Sequence, residues 1–560
     1  MKIGKIKSCM ILGVASMMLL TACNSQTQNL NSQSTKETDS TELAGDTSVS
    51  ITETVDYVYD YEQELNIIDD NYRNYYEIFV YSFCDSNGDG IGDIQGVISK
   101  LDYIEEMGFN GIWLMPMFQS STYHKYDVID YYKIDEQYGT NEDFKQLVDA
   151  CHDRGICVII DFIINHSSSS HAWFKEAYKY LKTLEDGQEP KVEECPYIDY
   201  YHFSNEQVNA DYYKLPGIAW YYEGVFWSEM PDLNLESELV RNEIEQIASY
   251  WLDMGVDGFR MDAALHFEEN NPEFNTEVLN WLYSYCKEKN PNFYMVSEVW
   301  ANAATIADYY KSQTPSMFNF DVADKEGKLI KAARGVYTAE KFVNNMLKTQ
   351  QDYSAVYADY IDAPFIANHD MGRVSNALIN NQDDMKMAGG LLMTMNGSPF
   401  VYYGEEIGMA SSGTKDENKR LPMLWSVTET EETTDGPTAA DAGIESAFPG
   451  VYEQMEDVTS ILNYYKRAIR LRNENPEIAR GTIQVLEELC DGHQAVITKT
   501  YQDSTIAIVY NTSDEVIEIA LDNSTIADMQ IRGYLTLNGE IITLENQKLE
   551  MQPQSICILK

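Results

Sequence analysis

Positive charge is scarce in this sequence. Lys and Arg together number 40 against 90 Asp and Glu, for a formal net charge of −50. Such a surface repels nucleic acid and anionic lipid headgroups, which argues against polyanionic partners. A neutral ligand such as a sugar is compatible with it, although solubility alone also accounts for the charge. Cysteine pairs are absent as well. Nine Cys lie scattered along the chain without a CxxC spacing. With Cys9 and Cys23 assigned to an N-terminal signal, an odd number remains, which argues against a complete disulfide framework and for buried free thiols. Beyond the N-terminus no segment reaches the roughly 18 consecutive apolar residues that span a bilayer. Neither an internal repeat nor a cofactor motif is present.

What is present begins with a targeting pattern. Lys2, Lys5 and Lys7 precede an apolar stretch over residues 9–20 that is too short for a permanent membrane span. Leu20-Thr21-Ala22-Cys23 then looks like a bacterial lipoprotein cleavage site. On that reading residues 1–22 are a signal peptide and Cys23 is a lipidated first residue. The chain would then sit at the cell surface facing outward, touching the membrane only through that lipid. A plain secretory signal that happens to contain a cysteine is the alternative. Residues 23–65, rich in Ser, Thr, Asn, Gln and acids, cannot bury enough apolar surface to fold and are expected to form a disordered tether.

From residue 66 the chain alternates strand-like and helix-like segments. Strands are expected over 75–83, 110–117, 156–163, 256–261 and 293–299, and around 363–367 and 398–403. Helices are expected over 94–107, 240–254, 277–289 and 458–475, and Thr140 with Asp143 forms a capping box ahead of another. A long stretch, 166–231, breaks the rhythm after the third strand and is expected to be an inserted subdomain. Residues 479–560 change to short alternating runs with an Asn538-Gly539 hairpin signal, the pattern of a C-terminal antiparallel β-sandwich. Within the alternating part, residues 66–165 and 232–478, four strings carry acids in a fixed order: DFIINH (161–166), GFRMDAALH (258–266), SEVW (297–300) and FIANHD (365–370). Each follows or ends an apolar run, so each places an acid at a strand end. In a (β/α)8 TIM barrel those ends converge on one face, giving a single pocket with Asp161, Asp262, Glu298 and Asp370.

The four strings, together with YHKYDVIDYY (123–132), resemble the α-amylase family of glycoside hydrolases, family 13. Hydrolysis of a glycosidic bond needs one carboxyl to attack or stabilise the anomeric carbon and another to protonate the leaving oxygen. The resemblance implies Asp262 as nucleophile, Glu298 as general acid/base and Asp370 as a third acid gripping the sugar. Arg260 lies two residues before Asp262 on one strand and so faces the same way, where it can hold that carboxylate charged. The resemblance further implies that Tyr126 stacks on the sugar at the cleavage point. His124, His166 and His369 would add hydrogen bonds, His266 is retained from typical members, and Trp227 would line the cleft.

DSNGDGIGD (85–93) alternates oxygen-bearing side chains with glycines, a spacing that suits calcium. It looks like the first loop of the oligo-1,6-glucosidase branch, with Asp85, Asn87, Asp89, the Ile91 carbonyl and Asp93 as ligands of a structural ion. A glycine-rich turn with solvated acids is the alternative. A second family site would use Asn165, Asp232 and the His266 carbonyl. MPDLN (230–234) resembles a group between neopullulanases and oligo-1,6-glucosidases, and YYGEEIGM (402–409) and RLPMLW (420–425) resemble the latter branch. Beside the cleaved bond, Tyr123 stands where exo-acting relatives carry an Asp, and Ala263 matches α-1,4-specific members. Leu265 departs from the Lys usual there. The resemblance thus implies a retaining, endo-acting hydrolase of α-1,4-glucosidic bonds in starch and maltooligosaccharides. An exo-α-glucosidase or neopullulanase, a transglycosylating relative and a non-catalytic glucan-binding lipoprotein remain as alternatives. The short N-terminal stretch lacks room for the dimerising module of neopullulanases, so a monomer is expected.

Overall fold

The strands that carry the acids are short, apolar and buried on both faces, which is the signature of a parallel sheet covered by helices. In chain order they are β1 (Tyr75–Ile78), β2 (Gly111–Leu114), β3 (Cys157–Phe162), β4 (Gly258–Met261), β5 (Tyr294–Ser297), β6 (Ser316–Met317) and β7 (Phe400–Tyr402). The computed structural model describes residues 68–185 and 187–560. The expected signal peptide, Cys23 and the whole of the expected tether lie outside the described residues.

Pairing is parallel throughout, in the order β6-β5-β4-β3-β2-β1-β7. Two single parallel bridges, Phe318 to Ala363 and Phe365 to Phe400, close the ring. The segment around 363–365 therefore fills one position among eight, and the expected barrel is what the chain forms. Aromatic rings fill its interior. Tyr75 stacks on Tyr294 at 5.4 Å and on Phe400 at 4.7 Å, and Gly111 leaves the space that the Tyr75 ring occupies. The barrel is a packed core, not a channel.

Several local expectations fail, each for a stated cause. The run 75–83 is strand only to Ile78, where pairing with Leu114 ends. Residues Val80–Phe83 form a short helix, and the Asp85–Asp93 loop folds back so that Gly92 and Asp93 donate to the Tyr81 and Cys84 carbonyls. The helix expected over 94–107 is two helices, Ile94–Ser99 and Leu101–Met107. They meet at Lys100, whose ammonium lies 4.4 Å from the Trp425 ring centre and donates to Tyr452 at 2.8 Å. β6 has two residues and escapes any periodicity.

Between β3 and β4 the insertion contributes helix Ala172–Leu181 and a three-stranded sheet of Phe203–Ser204, Tyr221–Glu223 and Tyr212–Lys214. The C-terminal strands are β8 (Thr482–Val485), β9 (Gln494–Tyr501), β10 (Ser504–Asn511), β11 (Ile517–Ala520), β12 (Ile531–Leu535), β13 (Thr543–Glu545), β14 (Lys548–Met551) and β15 (Ser555–Leu559). They form a five-stranded sheet, β8-β9-β10-β15-β12, facing a three-stranded one, β11-β14-β13. The Asn538-Gly539 turn does not join a hairpin. β12 pairs with β15, while β13 and β14 pair around Asn546 and Gln547, both with positive φ.

One face of the five-stranded sheet packs on the small sheet through Val496, Val509 and Leu559. Its other face, with Ile497, Ile508 and Ile558, joins the core that contains the barrel. Two buried cations finish this junction. Lys499 donates to the Thr394 and Ile478 carbonyls at 2.8 and 2.7 Å, and Arg472 to the Met393, Met395 and Gly397 carbonyls at 2.5–2.8 Å. Of these, the carbonyls of Met393, Thr394 and Met395 are left open at the end of helix Gln382–Thr394, where positive charge is favoured, while Ile478 lies in the helix Glu477–Arg480.

Gly397 leads into β7 with φ of +83°, and a Cβ there would come within 1.9 Å of the Asp362 carbonyl oxygen. Gly397→Ala should therefore destabilise the protein by more than about 2 kcal/mol, read as a lowered urea midpoint.

Candidate active site

Each acid stands at or just past the end of a barrel strand. Asp161 is in β3, Asp262 follows β4, Glu298 follows β5, and Asp370 follows the bridge segment. Pairing in register brings these ends to one face.

Arg260 in β4 organises three of them. Its Nη1 reaches Asp161 Oδ1 at 2.7 Å and Asp262 Oδ1 at 2.5 Å, and its Nη2 reaches Glu298 Oε2 at 3.1 Å. The guanidinium is 1% exposed, so its planar fork is fixed among the carboxylates. Trp113 in β2 lies beneath it, with the ring centre 5.2 Å away. After Asp262 the chain turns through Ala263 at φ +50°, a left-handed conformation that points the Ala263 amide at Glu298 Oε2, 3.0 Å away. Glu298 Oε2 thus takes both bonds.

A second cluster holds Asp370. Arg420 Nη2 reaches its Oδ1 at 2.7 Å and His369 Nε2 its Oδ2 at 3.0 Å. The other ring nitrogen of His369 faces Glu77 Oε1 at 2.6 Å. Tyr126 OH lies 2.7 Å from His369 Nε2 and donates to Asp161 Oδ2 at 3.2 Å, which joins the two clusters.

The charges differ accordingly. Burial pushes the Glu298 carboxyl up against the pull of Arg260, and the neighbouring Asp262 and Asp370 push it further. Burial also raises Asp262, opposed by the closer contact with Arg260. Burial outweighs Arg260 at Asp161, which is pushed up to about 7. At Asp370 burial is outweighed by His369, Arg420 and Arg260, which hold that carboxyl well below the usual range. His124 and His166 are lowered to about 4 by burial and are neutral near pH 7.

These groups surround a cavity of about 430 Å³. Asp262, Glu298, Asp370, Tyr126, His124, His166, His266 and Trp227 line it, as the sequence led us to expect. Asp161, Arg260 and His369 do not. They are fully buried behind the lining, so they hold lining residues in place instead of forming the wall themselves. Sequence reasoning missed Glu77, Arg420, Trp300 and Phe226. Glu77 had a signal, a lone acid in the apolar run YYEIFV, where charge is costly unless paired. Trp300 closes the SEVW string itself, and Arg420 opens RLPMLW. Phe226 had no signal. Phe226, Trp227 and Trp300 are 45–48% exposed, and Trp300 stacks on Phe320 at 5.1 Å.

Away from the cavity, the Asp85–Asp93 loop turns its acids onto its own backbone. Asp85 accepts from Asn87, Gly88 and Gly90, Asp89 from Ile91, and Asp93 from Ser86 and Gly96. Asp85 and Asp93 are each 5% exposed and have no ion-pair partner among the described residues. Among the described residues, no group of three or more His, Cys, Asp or Glu is placed to hold a metal ion. Asn165 Nδ2 lies 3.4 Å from Asp232 Oδ1, and Asp232 shares an acidic hollow with Glu223 and His266.

Replacing Arg260 by Leu would leave three buried carboxyls without their shared cation. A loss of roughly 3–5 kcal/mol is expected at pH 8, shrinking toward pH 5 as the carboxyls take up protons, measured by urea unfolding at the two pH values.

Comparison with known proteins agrees with this geometry. Residues 77–481 match the alpha amylase catalytic domain. The solved structure of Eubacterium rectale Amy13B superposes with a TM-score of 0.85 at 42% identity, covering 89% of this chain and 97% of that one. Alpha-amylase 3 of Dictyoglomus thermophilum is 34% identical, over 87% of this chain and 93% of its own length. A 4-alpha-glucanotransferase of Thermotoga maritima is 30% identical, over 79% and 96% respectively. The chain is an α-amylase-type glycoside hydrolase and belongs to the α-amylase family.

Proposed function

We propose that the protein is a retaining, endo-acting hydrolase of α-1,4-glucosidic bonds in starch and maltooligosaccharides. The observation that carries this reading is the unequal treatment of three acids on one cavity. Asp262, held by Arg260 at 2.5 Å, attacks the anomeric carbon as the carboxylate. Glu298 holds a proton and gives it to the leaving oxygen, so the C–O bond breaks as the glycosyl–Asp262 bond forms. Glu298 then takes a proton from water, whose oxygen displaces Asp262 with the α-configuration restored. Asp370 stays ionised and accepts from sugar hydroxyls in the distorted ring. The Tyr126 ring offers an apolar face to the same sugar.

Two features support internal cleavage. Tyr123 places a phenol, not a carboxylate, beside the sugar site, where it accepts from Arg420 at 3.2 Å. The exposed aromatic rims at Phe226, Trp227 and Trp300 offer platforms for sugar rings beyond the cleaved bond. Transglycosylation is the second reading, supported by the relative named as a 4-alpha-glucanotransferase, because a sugar hydroxyl in place of water completes the same cycle.

We also propose calcium at the Asp85–Asp93 loop, with Asp85, Asn87, Asp89, the Ile91 carbonyl and Asp93 as ligands. An all-oxygen donor set and two buried carboxylates that have no ion-pair partner among the described residues support it. The ion would brace the loop that follows β1. Asn165 and Asp232 are the weaker candidate. The N-terminal sequence supports outward, Cys23-linked lipid anchoring, and labelling with radioactive palmitate that is lost in Cys23→Ser tests it.

Asp262→Asn should lower the turnover of amylose by at least about 10³-fold with an unchanged circular dichroism spectrum. Near-normal turnover would refute the mechanism. Because Glu298 must keep its proton, activity should fall as pH rises through its raised pKa, and should fall on the acid side as Asp262 is protonated. Amylose should give mixed α-configured maltooligosaccharides by NMR, whereas glucose alone would indicate exo-action. A chelator should lower the melting temperature, and added calcium should restore it; no shift would remove the metal from this account.

A further inference from the structure

The carboxylate at the far side of His369 has no part in the bond-breaking steps above. Glu77 is 1% exposed and His369 is fully buried. Glu77 sits in β1, which pairs with β7, the strand that is bridged in turn to the segment preceding Asp370. A carboxylate fixed there against an imidazole has an energetic consequence for everything the ring touches.

We propose that Glu77 is a positioning residue for the reaction: it clamps His369 as a doubly donating ring that aims Asp370 and Tyr126 into the cavity. The contacts argue this directly. His369 Nδ1 faces Glu77 Oε1 at 2.6 Å, and Nε2 faces Asp370 Oδ2 at 3.0 Å. Burial raises the Glu77 carboxyl and His369 pulls it back down; with Glu77 and Asp370 ionised, each only accepts, so both ring nitrogens carry hydrogen and the ring is an imidazolium. Tyr126 OH, 2.7 Å from Nε2, accepts from the same hydrogen and passes its own to Asp161 at 3.2 Å. The Tyr126 ring lies nearly parallel to the imidazole, with centroids 5.7 Å apart. The direction of donation therefore runs from the ring to Glu77 on one side and to Asp370 and Tyr126 on the other.

Charged groups face this pair from several elements. Glu77 comes from β1, Asp161 from β3, and Arg260 and Asp262 from β4 or its end. Asp370 and Arg420 come from the loops after the bridge segment and after β7. Trp113 of β2 meets the ring edge-on at 5.6 Å. Arg420 also fixes the backbone, donating from Nε to the His369 carbonyl at 3.1 Å. Burial disfavours the charged ring, yet Asp370 and Glu77 reverse this and raise it to about 9.

The test joins a titration to kinetics. The imidazole nitrogens of His369, assigned by loss of their signals in His369→Gln, are followed by ¹⁵N NMR from pH 5 to 10. The wild-type ring should remain an imidazolium to about pH 9. In Glu77→Gln the midpoint should fall by about one pH unit or more. The kcat on amylose should drop about tenfold or more with little change in KM, since Asp370 is misaimed rather than removed. A neutral His369 at pH 7 in the wild type would overturn the proposal. So would a folded Glu77→Gln with both midpoint and kcat unchanged. Should Glu77→Gln fail to fold, the wild-type titration decides alone. The kinetic arm rests on the proposed hydrolysis of α-glucans, whereas the titration does not, so failure of one leaves the other readable.

Discussion

The site depends on the burial of Arg260. One guanidinium, closed off from water, serves three carboxyls that would otherwise repel each other in a medium of low dielectric. It cannot serve them equally, because a planar fork has two terminal nitrogens. Asp161 and Asp262 share one, and Glu298 has the longer contact to the other. Counting Glu77 and Asp370, five acids stand near three cations, Arg260, Arg420 and His369. The shortfall is two charges, and burial accordingly raises the carboxyls of Asp161, Asp262 and Glu298 together, with Glu298 the one least tightly held by Arg260. The proposed division of labour between Asp262 and Glu298 rests on the geometry of that one cation.

That geometry needs a rigid floor. Trp113 beneath Arg260, and the Tyr294–Tyr75–Phe400 stack deeper in the barrel, leave the strands no room to slide. Parallel pairing in register then sets the depth at which each strand ends, and with it the depth of each acid. The strained turn at Ala263 is affordable only because the strands on both sides are fixed.

Much of this was legible in the sequence, and the limits are physical. Asp262, Glu298 and Asp370 could be read because each follows an apolar strand within a string whose other members are also constrained. Arg260 could be assigned to its carboxylate by alternation along a strand. What the strings could not reveal was depth. Whether Asp161 and His369 line the wall or stand behind it depends on neighbouring strands. Glu77 lay in plain view, but its partner is nearly three hundred residues away. The break at Lys100 is equally non-local, since it is imposed by Trp425 and Tyr452 from the far end of the barrel. β6, with two residues, offers no period to detect, and the Asn538-Gly539 turn shows that a correct local signal does not decide which strands it joins.

The five-stranded sheet of the C-terminal module buries both of its faces, one on its companion sheet and one on the barrel core, and its Lys499 supplies hydrogen bonds to a barrel helix. It is therefore not a detachable appendage. A chain cut near residue 481 would uncover a broad apolar surface and strip the end of that helix of a buried cation, so a trimmed catalytic fragment would emerge as an aggregate. Evolutionary exchange of this module for another would have to transplant its inner face and its lysine together.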